Sequence, residues 1–379
     1  MSYPVYISST NIISPLGNST DANFKQIIAG KTALKQATIE GARPIEACAA
    51  IINESEIEQT LSPLQQVYTR FEKLLIISIG DALKNAGIDA AAPRTAFVLS
   101  TTKGNIDMLH EGLYPNIHPN RIYLAQAAKA VSECFHNPNT PMVISNACIS
   151  GVMALIMGAR LIRSGQYDHV IACGGDIIND FTASGFQSFK ALSDVPCKPF
   201  DKDRNGLNLG EAFGTVILSA QPTEGAIKVL GGASSNDANH ISGPSRNGSG
   251  LKVAIQATLK ESSLHTNQIN MVSAHGTATP YNDEMESIAL DDLGFGQVPV
   301  NSLKGYFGHT LGGAGLVETI ISAESLRQQM LLKTLGYESH GVSRPTNITT
   351  ATLPYSLNTC LKTASGFGGC NAALILQRA

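Results

Sequence analysis

The sequence predicts an α/β protein built from two related halves, in which β-strands alternate with helices. The main observation behind this prediction is a weak internal repeat, since three kinds of segment occur twice and in the same order. The second observation is the composition, with 43% hydrophobic residues, 15% charged residues and 35 glycines among 379 residues. A chain of this length buries roughly 75% of the surface that its unfolded form exposes, so it can form several tightly packed layers.

Two of the repeated segments are strands. The opening strand predicted at residues 3–13 resembles residues 226–235. A glycine turn that enters an aliphatic strand occurs at residues 209–218 and again at 368–376. Short apolar strings can also match by chance, so the repeat depends on all three segments together.

The third repeated segment is a short buried strand followed by a sharp turn and a helix of small residues. It begins at Pro141 and runs to about Arg163, and it recurs from Val298 to about Met330. If the two halves pack pseudo-symmetrically, the two sharp turns face one central site.

The boundary between the halves is predicted from a turn signal. Between Ser219 and Gly225 the run Gln-Pro-Thr-Glu-Gly is typical of a turn rather than of a strand or helix. We therefore predict an N-terminal half of residues 1–222 and a C-terminal half of residues 223–379.

Composition excludes several classes of protein. A net charge of −3, 6% aromatic residues and the absence of Trp argue against nucleic-acid binding. No stretch reaches the roughly 20 apolar residues that a membrane-spanning helix requires, so we expect no membrane insertion. The seven cysteines include no CxxC pair and no cluster with histidine, which predicts no metal site and free thiols in a cytoplasmic protein.

Cys148 is the first candidate for chemistry. It follows a predicted strand and precedes a predicted helix, so the N-terminus of that helix is expected to favour the thiolate and lower a pKa that is ordinarily about 8.5. Gly151 leaves the start of this helix narrow enough for another backbone to approach. The alternative is a thiol that merely packs in the core.

Two histidines favour the functional interpretation of Cys148. His275 follows a predicted buried strand at residues 269–274, and His309 lies in the turn that corresponds to the Cys148 turn in the repeat. A single histidine beside a strand is most often structural, but two at strand ends are harder to dismiss.

Several motifs together resemble those of the ketoacyl synthases of the thiolase superfamily, over nearly the whole chain. The motifs begin at Asn11 (Asn-Ile-Ile-Ser-Pro-Leu-Gly), Ala147 (Ala-Cys-x-Ser-Gly), Pro199 (Pro-Phe-Asp-Lys-Asp-Arg), His275 (His-Gly-Thr-x-Thr), Lys304 (Lys-x-x-x-Gly-His) and Gly366 (Gly-Phe-Gly-Gly-Cys-Asn). The resemblance implies a thiolase-like layered αβαβα fold built from two pseudo-symmetric halves. It also implies an elongating type II beta-ketoacyl-acyl carrier protein synthase.

The resemblance implies a role for each matching residue. Cys148 matches the nucleophile that accepts the acyl chain, and His275 and His309 match the pair that promotes decarboxylation of the malonyl thioester. Lys304 and Glu318 match the residues that order these histidines.

Further positions match residues around the site. Glu286 matches a structural acid behind it, and Thr277 and Thr279 match positions that bind pantetheine. The backbone N–H groups of Cys148 and Phe367 match the oxyanion hole, and the Phe367 ring matches the gating aromatic.

The implied reaction loads an acyl chain onto Cys148 and condenses it by decarboxylation with malonyl-acyl carrier protein to give a 3-oxoacyl product. No cofactor of its own is expected, because the substrates are carried on the phosphopantetheine arm of acyl carrier protein. A specialised polyene or polyketide pathway is favoured, and housekeeping fatty-acid elongation is the alternative. The expected state is a homodimer, or a heterodimer with a ketosynthase-like chain-length factor.

The sequence supports other functions less well. A non-catalytic chain-length-factor-like or carrier-binding subunit typically lacks the active cysteine, whereas this chain has one. A thiolase employs a second catalytic cysteine, and the chain-initiating synthases have Asn where this sequence has His309. A serine hydrolase and a nucleotide enzyme are poorly supported, because neither Gly-x-Ser-x-Gly nor a complete glycine fingerprint occurs.

The sequence departs from the family pattern at several positions. Asn146 stands where Thr or Ser is frequent, Ser365 stands where a second gating Phe is frequent, and Cys370 stands where Thr is common. We interpret Cys370 as a packing residue. The segment at 104–126 is short, and in relatives this region contributes to the dimer surface and the acyl tunnel.

An acidic carrier protein requires a locally basic docking surface. The candidates are Arg70, Lys73, Lys202 and Arg204, although cations in such contexts are more often ordinary solvated residues.

Overall fold

The computed structural model describes residues 3–41, 44–53, 55, 67–237, 239 and 243–379. The helices are α1 (Thr20–Ile28), α2 (Arg70–Lys84), α3 (Leu124–Cys134), α4 (Ser150–Arg163), α5 (Asp180–Ser188), α6 (Ser249–Ser262), α7 (Pro280–Asp292), α8 (Lys304–Phe307) and α9 (Ala314–Gln328). The strands are β1 (Tyr6–Ile13), β2 (Lys35–Ile39), β3 (Ile45–Ala50), β4 (Thr95–Ser100), β5 (Met142–Ile144), β6 (His169–Gly174), β7 (Leu209–Gly210), β8 (Phe213–Ser219), β9 (Ile227–Asn236), β10 (Met271–Ser273), β11 (Val300–Asn301), β12 (Met330–Leu331), β13 (Leu353–Pro354), β14 (Thr359–Gly366) and β15 (Cys370–Arg378).

Ten strands form one continuous sheet in the order β11-β10-β14-β15-β9-β1-β8-β6-β4-β5. This order is palindromic. From the centre outwards, β1-β8-β6-β4-β5 and β9-β15-β14-β10-β11 have the same succession of two antiparallel and two parallel pairings. The two sets meet where β1 pairs with β9, at Tyr6 with Lys228 and Ile7 with Ile227.

This topology confirms that the protein consists of two pseudo-symmetric halves. The three repeated segments of the sequence correspond to β1 and β9, to β8 and β15, and to β5 with α4 and β11 with α9. The boundary at residue 222 stays a prediction, and the end of β8 at Ser219 and the start of β9 at Ile227 support it.

Helices α4 and α9 lie between the two halves of the sheet, and each contacts strands of both. Helix α2 covers the outer face of the first half, and α6 covers the outer face of the second. Buried aliphatic and aromatic side chains fill the interfaces between these layers. The predicted layered αβαβα architecture is therefore confirmed.

The two central helices cross at a pair of glycines. A Cβ atom on Gly151 in α4 would lie 2.6 Å from the backbone nitrogen of Leu316, and one on Gly315 in α9 would lie 2.3 Å from that of Val152. Real Cβ atoms do not approach backbone this closely, so the sequence allows this crossing only through glycine at both positions. The predicted close approach at Gly151 is confirmed.

The strand that leads to Cys148 lies at an edge of the sheet. Strand β5 pairs only with β4 in the described part of the chain, and its three residues are all half-buried. Among the described residues, no helix is long and apolar enough to span a bilayer.

Candidate active site

Cys148 lies in a strained turn between β5 and α4. Ala147 has a φ of 45°, a left-handed conformation that non-glycine residues rarely adopt. The Ser150 hydroxyl stabilises the turn by donating to the Ala147 carbonyl at 2.6 Å and accepting from the Asn146 N–H at 2.8 Å. Gly366 packs against this turn, and a Cβ atom at that position would lie 3.0 Å from the Cys148 nitrogen. Glycine at position 366 therefore avoids a close contact with the backbone of the turn.

His309 lies in the corresponding turn of the second half. Its Nδ1 accepts a hydrogen bond from the backbone N–H of Leu311 at 3.1 Å. In a neutral imidazole the other nitrogen then carries the proton, so Nε2–H is a donor. This Nε2 lies 3.0 Å from the Sγ of Cys148.

His275 follows β10 and presents the same tautomer. The backbone N–H groups of His275 and Gly276 donate to the Glu286 carboxylate at 2.9 and 2.6 Å. The Nζ of Lys304 donates to the His275 carbonyl at 2.9 Å and lies 3.4 Å from its Nδ1. Because an ammonium can only donate, His275 also carries its proton on Nε2.

The structure brings the three predicted residues together. The Sγ of Cys148 and one nitrogen each of His275 and His309 all lie within 4.8 Å of one another. The two imidazole rings are nearly perpendicular, at 82°, with centroids 5.1 Å apart. This trio has the ligand types of a zinc site, but the contacts at both Nδ1 atoms leave protonated Nε2 atoms, which cannot ligate a metal.

A buried cluster of charges lies behind the histidines. Lys304 and Lys362 both pair with the Glu318 carboxylate, Lys304 on Oε1 and Lys362 on Oε2, the latter at 2.6 Å. All three side chains are at most 4% exposed. Lys362 also donates to the carbonyls of Ser273 and Ala274, at 3.2 and 3.3 Å. The predicted partnership of Lys304 with Glu318 is present, and Lys362 is an additional member.

Burial and positive charge keep both imidazoles neutral. Complete burial lowers the pKa of His275 and of His309 well below the ordinary value of 6.5, and Lys304 lowers both further. Burial alone would raise the pKa of Glu318, but the ammonium groups of Lys304 and Lys362 hold it below its ordinary value. The site therefore combines an ionised carboxylate with two neutral imidazoles that donate from Nε2.

The expectation of a lowered pKa for Cys148 is wrong. Burial raises the pKa of its thiol to about 12, and the positive charge of Lys304 and a hydrogen bond from the backbone of Phe367 offset this only in part. The physical reason is that burial removes water from the sulfur and so disfavours the thiolate. Helix α4 begins at Ser150, two residues after Cys148, and the hydrogen bond to the sulfur comes from the Phe367 turn and not from the N-terminus of this helix.

A cavity of about 780 Å³ opens onto the site. Of the predicted residues, Cys148, His275, Thr277, Thr279, His309 and Phe367 line this cavity. Lys304, Glu318 and Glu286 do not line it and instead lie behind the histidines. The hydroxyls of Thr277 and Thr279 are 2.9 Å apart, within hydrogen-bond distance of each other.

Aromatic rings form one wall of the cavity. The Phe367 ring stacks on Phe186 at a centroid distance of 5.6 Å and meets the edge of Phe189 at 5.5 Å. Phe186 in turn lies 6.5 Å from the His309 ring. Both Phe186 and Phe189 were missed by the sequence reasoning.

Two other buried charges were also missed. Lys362 could have been found as a lysine within the otherwise uncharged strand Thr-Cys-Leu-Lys-Thr-Ala-Ser-Gly. Asp283 accepts the backbone N–H groups of Phe200, Thr277 and Ala278 at 2.7 to 3.1 Å, and burial raises its pKa to about 7. Asp283 could not be identified from the sequence, because the pattern around it is the same as that around an exposed acidic residue at the start of a helix.

Three of the four docking candidates are occupied or buried. Arg70 pairs through both terminal nitrogens with the buried Glu211, at 2.6 and 2.8 Å, and Lys73 is only 9% exposed. Arg204 donates to the backbone carbonyls of Asp201 and Gly341. Lys202 is exposed and stays a candidate.

Comparisons with known proteins agree with this geometry. Residues 2–223 match the family model described as the beta-ketoacyl synthase N-terminal domain, and residues 227–338 match that of the C-terminal domain. The chain is 29% identical over 412 residues to 3-oxoacyl-acyl-carrier-protein synthase 2 of Vibrio cholerae, with 99% of each chain covered. It is 30% identical over 419 residues to the tetracenomycin polyketide synthase ketoacyl synthase alpha subunit of Streptomyces glaucescens, with 99% of this chain and 97% of that protein covered.

A solved structure is similar over the full length. A ketosynthase in complex with its chain length factor from Xenorhabdus doucetiae superposes with a TM-score of 0.90 at 25% identity, covering 100% of this chain and 98% of that one. The matched family models together extend over most of the chain and cover both turns that form the site. The chain therefore belongs to the beta-ketoacyl synthase family, and it is an acyltransferase-type condensing enzyme with the thiolase-like fold.

Proposed function

We propose that Cys148 carries the acyl chain and that His275 and His309 promote decarboxylation of a malonyl thioester bound beside it. The observation that carries this proposal is the convergence of both histidines on the sulfur: one nitrogen of each lies within 4.8 Å of it, and the Nε2 of His309 lies at 3.0 Å. Fixed hydrogen-bond donors beside a reacting carbonyl stabilise the oxygen on which negative charge develops.

The first step transfers an acyl group to Cys148. Its sulfur attacks the carbonyl of an acyl thioester, the carbon–sulfur bond to pantetheine breaks, and the Cys148 proton leaves with the pantetheine sulfur. With a thiol pKa of about 12 the resting sulfur is protonated, so attack and proton transfer have to be coupled. The backbone N–H groups of Cys148 and Phe367 stabilise the tetrahedral oxyanion.

The second step generates the carbon nucleophile. The thioester carbonyl of the malonyl group accepts hydrogen bonds from His275 and His309, and the bond to the carboxylate breaks as carbon dioxide leaves. The electron pair moves into an enolate whose oxygen the two imidazoles stabilise. Lys304 and Glu318 are positioning residues that hold the His275 tautomer, and Glu286 fixes its backbone.

In the third step the enolate carbon attacks the Cys148 thioester. The new carbon–carbon bond gives a 3-oxoacyl thioester on the carrier, and the Cys148 thiolate leaves and takes a proton from water. Thr277 and Thr279 lie where the cavity could hold the pantetheine arm. All substrates arrive on that arm, so the chain's own residues are enough for the reaction and no further cofactor is proposed.

We infer a specialised polyketide-like pathway. Support comes from the similarity to a polyketide ketoacyl synthase subunit and to a ketosynthase that was solved with its chain length factor. Fatty-acid elongation is the second candidate, and the similarity to a 3-oxoacyl-acyl-carrier-protein synthase supports it. We also propose a cytoplasmic location, since the seven cysteines are all unpaired.

The proposed partners are an acyl carrier protein and a second ketosynthase-like subunit, either another copy or a chain-length factor. The exposed edge of β5 supports a second subunit, because an unpaired strand edge is a template for pairing with another chain. Leu109, Leu113 and Tyr123 are exposed apolar residues in the segment that was predicted to contribute to such an interface.

The test separates acylation from decarboxylation. Cys148→Ala should abolish acyl-enzyme formation and condensation, and His309→Ala should block decarboxylation while sparing self-acylation. The matched control is Cys173→Ala, which removes another completely buried thiol whose pKa is also about 12 and which does not line the cavity. Intact-protein mass spectrometry follows the acyl adduct, and release of labelled carbon dioxide follows decarboxylation.

Acylation of Cys148→Ala, or full decarboxylation by His309→Ala, would refute these roles. A wild-type chain that binds the carrier but never forms an adduct would be a non-catalytic partner subunit.

A further inference from the structure

The aromatic wall of the cavity joins the end of helix α5 to the glycine-rich turn that carries Phe367. Helix α5 ends in a fixed turn, where the N–H of Ala191 donates to the Phe186 carbonyl at 3.2 Å and Lys190 takes a left-handed φ of 53°. This closure fixes the backbone of Phe189. The Phe367 turn, in contrast, has glycine on both sides, and Gly368 has a φ of 85° and open space around its Cα.

The Phe189 ring has no described ring contact other than Phe367, and it is 54% exposed. A single exposed apolar ring is common on protein surfaces, so the contact with Phe367, and not the exposure, distinguishes Phe189. Its edge-on contact with Phe367 restrains the only ring of the wall that belongs to the glycine-rich turn. That turn also carries the backbone hydrogen bond to the Cys148 sulfur.

The position two residues before Phe367 does not contribute a ring. Ser365 is buried, and its hydroxyl donates to the Asn371 Oδ1 at 2.8 Å. The rings that contact Phe367 come instead from the end of α5. The restraint on Phe367 is therefore supplied from across the cavity rather than from its own strand.

We propose that Phe189 is a positioning residue that holds the Phe367 ring in the position it has here, against Phe186 and Phe189, which we call closed, and that this position limits the access of bulky acyl thioesters to Cys148. This inference rests on the proposed function, in which Cys148 accepts the acyl chain. Loss of one aromatic pair corresponds to a shift of about two- to tenfold in the ratio of open to closed conformations.

The experiment compares a bulky with a small reagent on the purified chain. A long-chain acyl thioester of N-acetylcysteamine requires the ring to move, whereas iodoacetamide is small enough to reach the sulfur past a closed ring. Phe189→Ala should raise the rate of Cys148 acylation by about two- to tenfold and leave the rate of alkylation unchanged. Phe189→Tyr keeps the ring and should behave as wild type.

The matched control is Phe181→Ala. Phe181 lies on the same helix with the same 54% exposure, but it does not line the cavity and has no described ring contact. It should change neither rate. An unchanged ratio of acylation to alkylation in Phe189→Ala, or an equal rise in Phe181→Ala, would overturn the proposal.

The results distinguish an error in the proposed function from an error in the role of Phe189. If wild type and every variant are alkylated but never acylated, the proposed function falls, and this inference falls with it. If wild type is acylated normally and only the effect of Phe189→Ala is missing, the inference alone is wrong.

Discussion

Replacement of Glu318 by Gln tests the buried charge cluster most directly. The carboxylate binds Lys304 on one oxygen and Lys362 on the other, and all three side chains are at most 4% exposed. The isosteric amide keeps the shape but leaves two ammonium groups without their counter-charge. Removal of one partner from a buried ion pair typically costs about 3–5 kcal/mol, against a total free energy of unfolding of about 5–15 kcal/mol.

A second substitution makes this prediction quantitative. Lys362→Met removes one of the two stranded charges, so the double variant Glu318→Gln, Lys362→Met should be more stable than Glu318→Gln alone. The coupling between the two sites should be at least about 1 kcal/mol, since they share one ion pair. The measurement is urea unfolding at neutral pH, with m-values compared to confirm that all variants unfold cooperatively.

The pH dependence gives a second measure of the same interaction. Because Lys304 and Lys362 hold the pKa of Glu318 below its ordinary value of 4.5, its stabilising contribution is present above pH 4.5 and is lost as pH falls through the folded-state pKa. Glu318→Gln should lack this part of the acid transition. Wild-type stability of the single variant, or a double variant less stable than the single one, would refute the assignment.

Three further predictions concern the site and its supports. Because the two imidazoles have pKa values well below 6.5, decarboxylation should continue undiminished as pH falls through 6.5 and decline only at more acidic pH; a midpoint near 6.5 would contradict this. Gly151→Ala should lower the free energy of unfolding by about 1–3 kcal/mol and reduce condensation, whereas Gly80→Ala in α2, where an added Cβ meets nothing within 4 Å, should not destabilise in urea titrations. Asp283→Ala leaves the Thr277 N–H without its acceptor and should raise KM for carrier-bound substrates more than it lowers kcat; an equal fall in kcat and kcat/KM would contradict a role in shaping the pantetheine site.

Much of the fold could be predicted because the internal repeat is visible in the sequence as matching strand and turn segments. The duplicated turn segments located both Cys148 and His309, and the palindromic strand order explains why those turns meet. The motifs then indicated the supporting residues Lys304, Glu318 and Glu286, which the structure places behind the histidines.

Other features could not be predicted because they depend on distance in three dimensions. The thiol pKa of Cys148 depends on desolvation, which no local pattern reports, so the helix argument gave the wrong direction. Arg70 has the sequence context of a surface cation, but the structure pairs it with the buried Glu211, more than a hundred positions later. Phe189 acquires its contact only because α5 ends beside a turn of the opposite half.

The palindromic sheet has a consequence for how this enzyme could be inactivated. One half carries Cys148 and the other carries His275 and His309, so under the proposed mechanism a fragment containing either half alone would be inactive even if it folded. An agent that separates the two halves would stop the proposed reaction even if each half stayed folded. Condensation activity therefore depends on the correct packing of the two halves against each other.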